Sequence, residues 1–471
     1  GYEQTDRFEL EYDPDRLDLT PNVTDPELAV RALRLNGGLT WLPRSDTQFG
    51  LSGGVTSGYD DFYAIGLLRN MYISGTFPWV RADIRHKGLN ARAFWNHSSA
   101  HAGPTWFAEG TLDSLETDVQ ANVLDVEASY GGEVLLGIPH HITVGAGFRV
   151  KTIDWDYLDE AHVERHLNGL IEDRITFAKW MSAVLGFRFD QHPLVGFTPS
   201  PRIALIFKPT ERMAIRASAG TAFRIPTFME SYLALRVPGP VTGTELITYG
   251  NTELEPELIR SVELGYRYEG SDYFMFDVAG YYQRVSNLIH LGGVTSTYDA
   301  GLDDQVPDRF VLGTSQFENV DQAFAGFGVE PSVHVFPVAG LDISVNYAFN
   351  YLIDLQAQDA GGEARDARTP LHKLNAGVQY RSPIHLDFSV NVHVVSAYTV
   401  PERAFDEAGQ VMVDPLDIDP YVTLDARIVL RLLEDRLDLG VTGANLTAFG
   451  SSGGHFEHAF GTHIGPRIYG T

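Results

Sequence analysis

What most constrains this chain is strict alternation of apolar and polar side chains in runs of about ten residues, repeated along most of its length. Leu341, Ile343, Val345, Tyr347, Phe349 and Tyr351 alternate with Asp342, Ser344, Asn346, Ala348 and Asn350. Leu386, Phe388, Val390, Val392 and Val394 alternate with Asp387, Ser389, Asn391 and His393. The same period runs through Ile142–Lys151 and Val422–Leu430. Successive side chains on an extended strand point to opposite faces, so each run carries one apolar and one polar face. About ten residues is also the length a tilted strand needs to cross a bilayer.

The links between these runs are ordered too. Short ones fall at Leu42–Asp46, His86–Gly88, Ala178–Lys179, Pro209–Glu211, Gly270–Ser271, Pro337–Gly340, Ser382–Ile384 and Leu433–Asp435. Between them lie long polar ones: Phe8–Val30, Tyr59–Asn70, Ser98–Val119, Asp154–Arg165, Gln191–Ser200, Ile225–Ile259, Leu288–Gln322, Asp354–Leu371, Thr399–Pro420 and Thr447–Ile464. Gly132–His140 is a short link that is stretched. An antiparallel up-and-down barrel with turns on one rim and loops on the other produces this order. Alternation alone does not say which face is inward. Strand number does: about 20 strands enclose more space than side chains can fill, so the polar face lines a lumen and the apolar face meets lipid.

Composition agrees by exclusion. The chain has 471 residues, no cysteine and a net charge of −27, which leaves no disulfide, thiolate metal site or cysteine nucleophile and disfavours nucleic acid as a partner. It holds no run of 18 or more apolar residues, so no transmembrane helix is expected. A mean hydropathy of −0.11 is compatible with a membrane barrel, because alternation dilutes the signal. No nucleophile elbow, P-loop or glycine-rich turn opening a helix occurs, so no catalytic residue and no cofactor is expected.

The most informative stretch is Thr221–Tyr268. A strand from Met213 ends in Phe223-Arg224-Ile225-Pro226-Thr227-Phe228, where Pro226 cannot donate to a ladder. A long connection follows, with Gly250-Asn251 and Glu255-Pro256-Glu257, and the chain re-enters a strand at Glu263-Leu264-Gly265-Tyr266. This F-R-x-P-T-F, G-N-x-x-L-x-P-E, E-L-G-Y series, followed by Val278–Tyr282 and Asn287-Leu288-Ile289, resembles the central barrel signature of TonB-dependent outer-membrane receptors.

The resemblance implies an all-β transmembrane barrel with about 20 of the 22 strands such transporters carry. It implies long loops outside the cell and short turns in the periplasm. The function implied is uptake of a scarce nutrient (a siderophore, cobalamin, a glycan or a peptide), energised by a TonB-type inner-membrane protein pulling on a plug. Outer-membrane lipid and lipopolysaccharide are the expected surroundings. Gly1–Asp6 looks like the upper half of a strand, and Gly465–Thr471 stops without the family's terminal aromatic. The expectation is therefore that 1–471 is barrel alone, truncated at both ends, with the plug outside it. A plugless passive porin and a non-transporting adhesion protein are the alternatives.

Candidate contacts come from the long links. His455, His458 and His463 are spaced to hold a metal chelate, or are loosely placed imidazoles; no metal is firmly assigned. Trp106, Trp155 and Tyr157 suit stacking on a flat ligand, or packing one loop on another. Asp299, Asp303, Asp304, Asp308, Asp406, Glu407, Asp414, Asp417 and Asp419 suit calcium or a solvated outer face. Arg224, an inward cation at a strand end, is expected to face the plug. Phe223, Pro226, Asn251, Pro256, Glu257, Glu263 and Gly265 are expected to be architecture.

Overall fold

The structure is a computed structural model that describes residues 2–6, 19–21, 28–62, 71–108, 115–238, 244–296, 310–359, 364–405, 411–449 and 464–470. A 20-stranded sheet dominates it. The wall strands are β1 (Tyr2–Asp6), β2 (Leu28–Arg44), β3 (Thr47–Phe62), β4 (Met71–His86), β5 (Leu89–Pro104), β6 (Thr117–Leu136) and β7 (Ile138–Trp155). Next come β8 (His162–Ala178), β9 (Met181–His192), β10 (Gly196–Thr210), β11 (Met213–Arg224), β12 (Glu257–Ser271) and β13 (Phe274–Ser286). The last seven are β14 (Phe324–Val335), β15 (Leu341–Asp354), β16 (His372–Arg381), β17 (Leu386–Val395), β18 (Tyr421–Leu432), β19 (Leu437–Ala444) and β20 (Arg467–Gly470). Each pairs antiparallel with the next in sequence, from Tyr2 against Leu33 to Val441 against Gly470.

Short turns and longer links alternate along this order, the 193–195 link being as short as a turn. Three expected links are nevertheless half strand or more. Gly132–His140 stays in the ladder as far as Leu136 against Ile138, and the chain reverses on Gly137 alone, whose φ of 82° suits glycine. Of Gln191–Ser200 only 193–195 leave the ladder, and of Asp154–Arg165 only 156–161. The reason is length. β6 has 20 residues, about twice what the hydrocarbon requires, and beyond that slab the outer face no longer needs to be apolar. Alternation of hydrophobicity fades there while the backbone pairing continues.

The apolar face is open to the surroundings. Leu35 is 58%, Leu39 69%, Val262 57% and Leu264 60% exposed. Val345, Phe388, Val390 and Ile428, expected to point outward, are exposed as well. An apolar surface continued over so many strands is far larger than a soluble monomer tolerates and is the surface a bilayer covers. The opposite face is knitted by polar contacts: Asp387 meets Arg431 at 3.0 Å, and Asp425 accepts the Asn445 N–H at 2.8 Å.

The links hold structure that alternation did not reveal. Ala234–Pro238 pairs with Thr244–Tyr249, which runs parallel to Phe310–Val320, itself paired with Leu288–Leu291. The parallel step is possible because its two strands come from different links, so no hairpin has to join them. Helix is confined, among the described residues, to α1 (Phe228–Tyr232), α2 (Leu355–Asp359) and one 3₁₀ turn.

The facing predicts an asymmetric response to charge. Leu264→Arg, at the centre of β12, is expected to destabilise the folded protein in liposomes by roughly 2–4 kcal/mol, whereas Ser218→Arg on the polar face of β11 costs far less. Urea titrations followed by heat-modifiable gel migration measure both. Equal sensitivity at the two positions would contradict the facing.

Candidate functional site

The polar face carries a ladder of opposite charges on neighbouring strands. Arg92 and Glu127 are register partners and meet at 2.7 Å. Asp125 and Arg149 are likewise opposite each other, at 2.6 Å. Along β9 Arg188 meets Asp190, two residues on, at 2.8 Å, and Arg216 reaches diagonally to Glu263 at 2.9 Å. Directly opposed side chains on an antiparallel pair interact, so the first two pairs follow from the register. Arg81, Arg92, Glu127, Asn168, Leu170 and Arg188 line one concavity on this face. Exposed pairs of this kind contribute about 0–1 kcal/mol each, which leaves them free to exchange partners with a polar occupant.

At the loop end of β11 the ladder becomes a clasp. Arg224 opposes Glu257 in the register and grips it with two parallel bonds, Nε to Oε2 at 2.7 Å and Nη2 to Oε1 at 2.6 Å. Its other edge grips Glu230 at 2.8 and 3.0 Å. Only a planar guanidinium offers two such forks at once. Glu230 also accepts the Thr227 N–H at 2.8 Å while Thr227 Oγ1 accepts the Glu230 N–H at 3.2 Å, a capping box that starts α1. Glu257 Oε1 accepts the Ile289 N–H at 2.9 Å, so the clasp reaches the root of the following link. Arg224 was expected to face a plug; its two edges are engaged by carboxylates of its own chain.

The other motif residues complete this joint. Asn251 donates to the Phe317 carbonyl at 3.0 Å and accepts the Glu253 N–H at 2.9 Å. Asn287 donates to the Pro256 carbonyl at 3.0 Å. Gly250 lies under α1, where a Cβ would stand 2.3 Å from the Tyr232 nitrogen, so no other residue fits without moving the backbone. Phe223 opposes Leu258 and Gly265 opposes Arg216 in the β11–β12 register, and Pro226 is fully buried.

A third feature was missed by sequence reasoning. Glu164 and His166 of β8 share the lumen face with Asn168 and Leu170, and His192 ends β9 beside them. Glu164 is 1% and His192 2% exposed. Glu164 Oε2 lies 3.0 Å from His166 Nε2, 3.5 Å from His192 Nε2 and 3.5 Å from Lys151 Nζ of β7. One ligand atom from each of Glu164, His166 and His192 lies within 4.8 Å of the others, the one such trio among the described residues. The signal was available: His162, Glu164 and His166 alternate with Val163 and Arg165, but the stretch had been counted as a link. Above it sits α1. Tyr232 stacks on His162 at 3.6 Å between ring centroids, while Lys151 Nζ lies 5.6 Å from the Phe228 ring centre. Glu164 Oε1 and His192 Nε2 are buried without a hydrogen-bond partner among the described residues.

The aromatic candidates divide. The Trp155 and Tyr157 rings lie tilted against each other with centroids 5.2 Å apart. Tyr157 is buried, its hydroxyl donates to the Leu115 carbonyl, and burial, then Asp156, pushes that hydroxyl up to about 12. Tyr157 is thus packed between two links. Trp106 lies in a short strand, Trp106–Ala108, paired with Leu19–Pro21. His455, His458 and His463 lie outside the described residues, as do Asp299, Asp303, Asp304, Asp308, Asp406 and Glu407. Asp414 lies in the Val411–Ile418 strand and Asp417 and Asp419 are exposed.

Comparison with known proteins gives one consistent result. Residues 1–446 match the family described as TonB dependent receptor-like, beta-barrel. The vitamin B12 transporter BtuB of Vibrio cholerae is 27% identical over 175 residues, which is 36% of this chain and 25% of that protein. Among solved structures, the siderophore receptor PirA of Acinetobacter baumannii superposes with a TM-score of 0.70 at 15% identity, over 89% of this chain and 67% of its own. A mutant of the ferric enterobactin receptor PfeA of Pseudomonas aeruginosa gives 0.69 at 18% identity, over 89% of this chain and 64% of its own. The match thus spans a quarter of the curated transporter's length and about two thirds of these solved chains.

Two outcomes follow from the geometry. Arg224→Ala is expected to loosen both 225–256 and 287–323, by about 1–2 kcal/mol after allowing for its partial exposure, with more proteinase K cleavage in both. Cleavage rising in the first alone would refute the clasp to Ile289. For Tyr157, the raised hydroxyl value means packing that is intact below the free-tyrosine value of 10.0 and lost as pH climbs towards about 12. Hydrogen exchange around 156–161 should accelerate across that window, and Tyr157→Phe should flatten the acceleration.

Proposed function

The chain belongs to the TonB dependent receptor-like β-barrel family, and on that premise we propose that it forms the wall of an outer-membrane receptor that imports a scarce nutrient. The observation that carries this reading is a wall of 20 paired strands whose lumen face is charged yet internally neutralised. So many strands enclose an interior that their own side chains cannot fill, and the arginine–carboxylate ladder offers a polar lining to whatever occupies it. A plug domain is the occupant in this reading, and a TonB-type inner-membrane protein supplies the energy by acting on it. Arg224 then stands at the upper end of the plug-facing surface as the clasp that fixes the loops above.

The long links face outward and receive the cargo; the short turns face the periplasm. Outer-membrane lipid covers the apolar belt and lipopolysaccharide its outer rim. The cargo is a small molecule or oligomer of the siderophore, cobalamin, glycan or peptide class, and it passes through chemically unchanged. Trp155, Trp106 and the histidines 455, 458 and 463 remain the candidate outer contacts. Similarity to a vitamin B12 transporter and the shared fold of siderophore receptors make cyanocobalamin and ferric enterobactin the first probes.

The full gene product, expressed in a host lacking its own receptors, is expected to support saturable uptake of a probe that vanishes when the energising protein is deleted. Uptake that persists without it, together with steady ion conductance of the purified protein in a planar bilayer, would instead establish a passive porin.

A further inference from the structure

Not every arginine of the wall faces the lumen. Arg260 of β12 and Arg284 of β13 are register partners in an uninterrupted stretch of ladder that also sets Val262 against Tyr282 and Leu264 against Gly280. Val262, Leu264 and Tyr282 are exposed on the lipid face, and alternation puts both arginines on that same face. Both are exposed. Among the described residues no ion pair or hydrogen bond engages either guanidinium, whereas Arg92 and Arg149 of the lumen face each meet a carboxylate. Like charges set directly opposite each other on an antiparallel pair repel. The outward positions beside them bring no carboxylate. Thr221 of β11 lies opposite Arg260 and Ala325 of β14 opposite Arg284, with Leu258 and Ser286 above and Val262 and Tyr282 below. The Thr221 hydroxyl is itself buried without a hydrogen-bond partner.

The height of the pair follows from the aromatic rows below it. Near the short turn, the rings of Tyr266 and Phe276 lie 6.3 Å apart and those of Tyr268 and Phe274 6.4 Å apart. Towards the links, Tyr282 lies opposite Phe327, which stacks on Tyr351 at 5.3 Å. Such rows mark the two interfaces of a membrane barrel. Arg260 and Arg284 stand one step of alternation beyond the second row. Arg284 is the tenth residue after Phe274, about 34 Å along a strand and about 26 Å of height at a tilt of about 40°, against an apolar band of about 25 Å. The pair therefore sits where hydrocarbon gives way to headgroups.

Resting on the outer-membrane reading above, with the long links outward, we propose that Arg260 and Arg284 hold a phosphate of an outer-leaflet lipid headgroup, in that membrane lipopolysaccharide. A phosphate has enough acceptor oxygens to meet the forks of two guanidiniums at once, and its charge turns their repulsion into a bridge. The occupant has to be amphiphilic. Directly below the pair lie Val262, Leu264 and Tyr282, a surface for acyl chains, so a lipid fills both parts and free phosphate only one. Occupancy bears on the joint above. Glu257, three residues up β12, is held by Arg224, and Asn287, just past β13, donates to the Pro256 carbonyl at 3.0 Å. A neutralised pair holds β12 and β13 together beneath that joint, and a bare one pushes them apart.

The full gene product, refolded in zwitterionic detergent and checked for heat-modifiable migration, can be titrated with diphosphoryl lipid A, dephosphorylated lipid A and inorganic phosphate. Native mass spectrometry counts the bound lipid. Diphosphoryl lipid A is expected to bind, and the Arg260→Gln/Arg284→Gln double variant to bind it about tenfold more weakly or worse. Arg165→Gln, which removes an outward arginine of β8 opposite Val150, should change binding little. Stability gives a second readout with a change of sign. Without lipid the double variant should have the higher urea midpoint, because repulsion is gone, and with diphosphoryl lipid A the lower one. Equal lipid binding by the double variant, or equal binding of the dephosphorylated lipid, would overturn the site. So would inorganic phosphate that stabilises as well as the lipid does, which would mark a free-phosphate site. A product that never becomes heat-modifiable would refute the membrane wall itself, and the site with it.

Discussion

Every other property of this protein depends on one constraint: backbone N–H and C=O groups surrounded by lipid have no water to turn to. Each unsatisfied group costs several kcal/mol, so each strand must be paired on both edges by another. Sequential antiparallel pairing meets that demand with the shortest connections. It also fixes side-chain alternation, because a register slip of one residue would turn a whole face from lipid to lumen. The wide interior follows from the strand number and the polar lumen from the alternation. The charged ladder follows from the register, which sets Arg92 against Glu127 and Asp125 against Arg149.

That chain of consequences explains which parts were legible in the sequence. Strand count, the order of turns and links, and the outward set around Val345, Phe388 and Ile428 all derive from a period that the sequence displays directly. The ends of strands do not. Above the hydrocarbon both faces are wet, so the pattern lost its contrast near Gln191 and Arg165 although the ladder continued. The Glu164 cluster was lost there, because residues assigned to a link have no face and cannot be seen to converge. The pairing of Thr244–Tyr249 with Phe310–Val320 was invisible for another reason. It joins two links about 60 residues apart, and no local signal registers such a contact.

The motif was legible as a resemblance but not as physics. Once Arg224 is seen to hold Glu230 and Glu257 together, its spacing has a cause. Arg224 and Glu257 must be register partners at the same height on β11 and β12. Thr227 and Glu230 must be three apart to close a capping box. Gly250 must lack a side chain because α1 crosses it, and Asn251 must reach Phe317 in the next link. Each of these is a joint in one piece of loop architecture. Within it the FRxP and GNxxLxPE elements act as two halves of a single clasp.

The same reasoning separates two roles that residue type alone would merge. Histidine and glutamate side by side suggest a metal, and their burial strengthens the suggestion. The deciding fact is the direction of a bond two residues further on, where Leu194 and Val195 spend their N–H groups on His192. That bond sets the tautomer and leaves Nε2 as the donor, while Glu164 Oε1 and His192 Nε2 stay buried without a hydrogen-bond partner among the described residues.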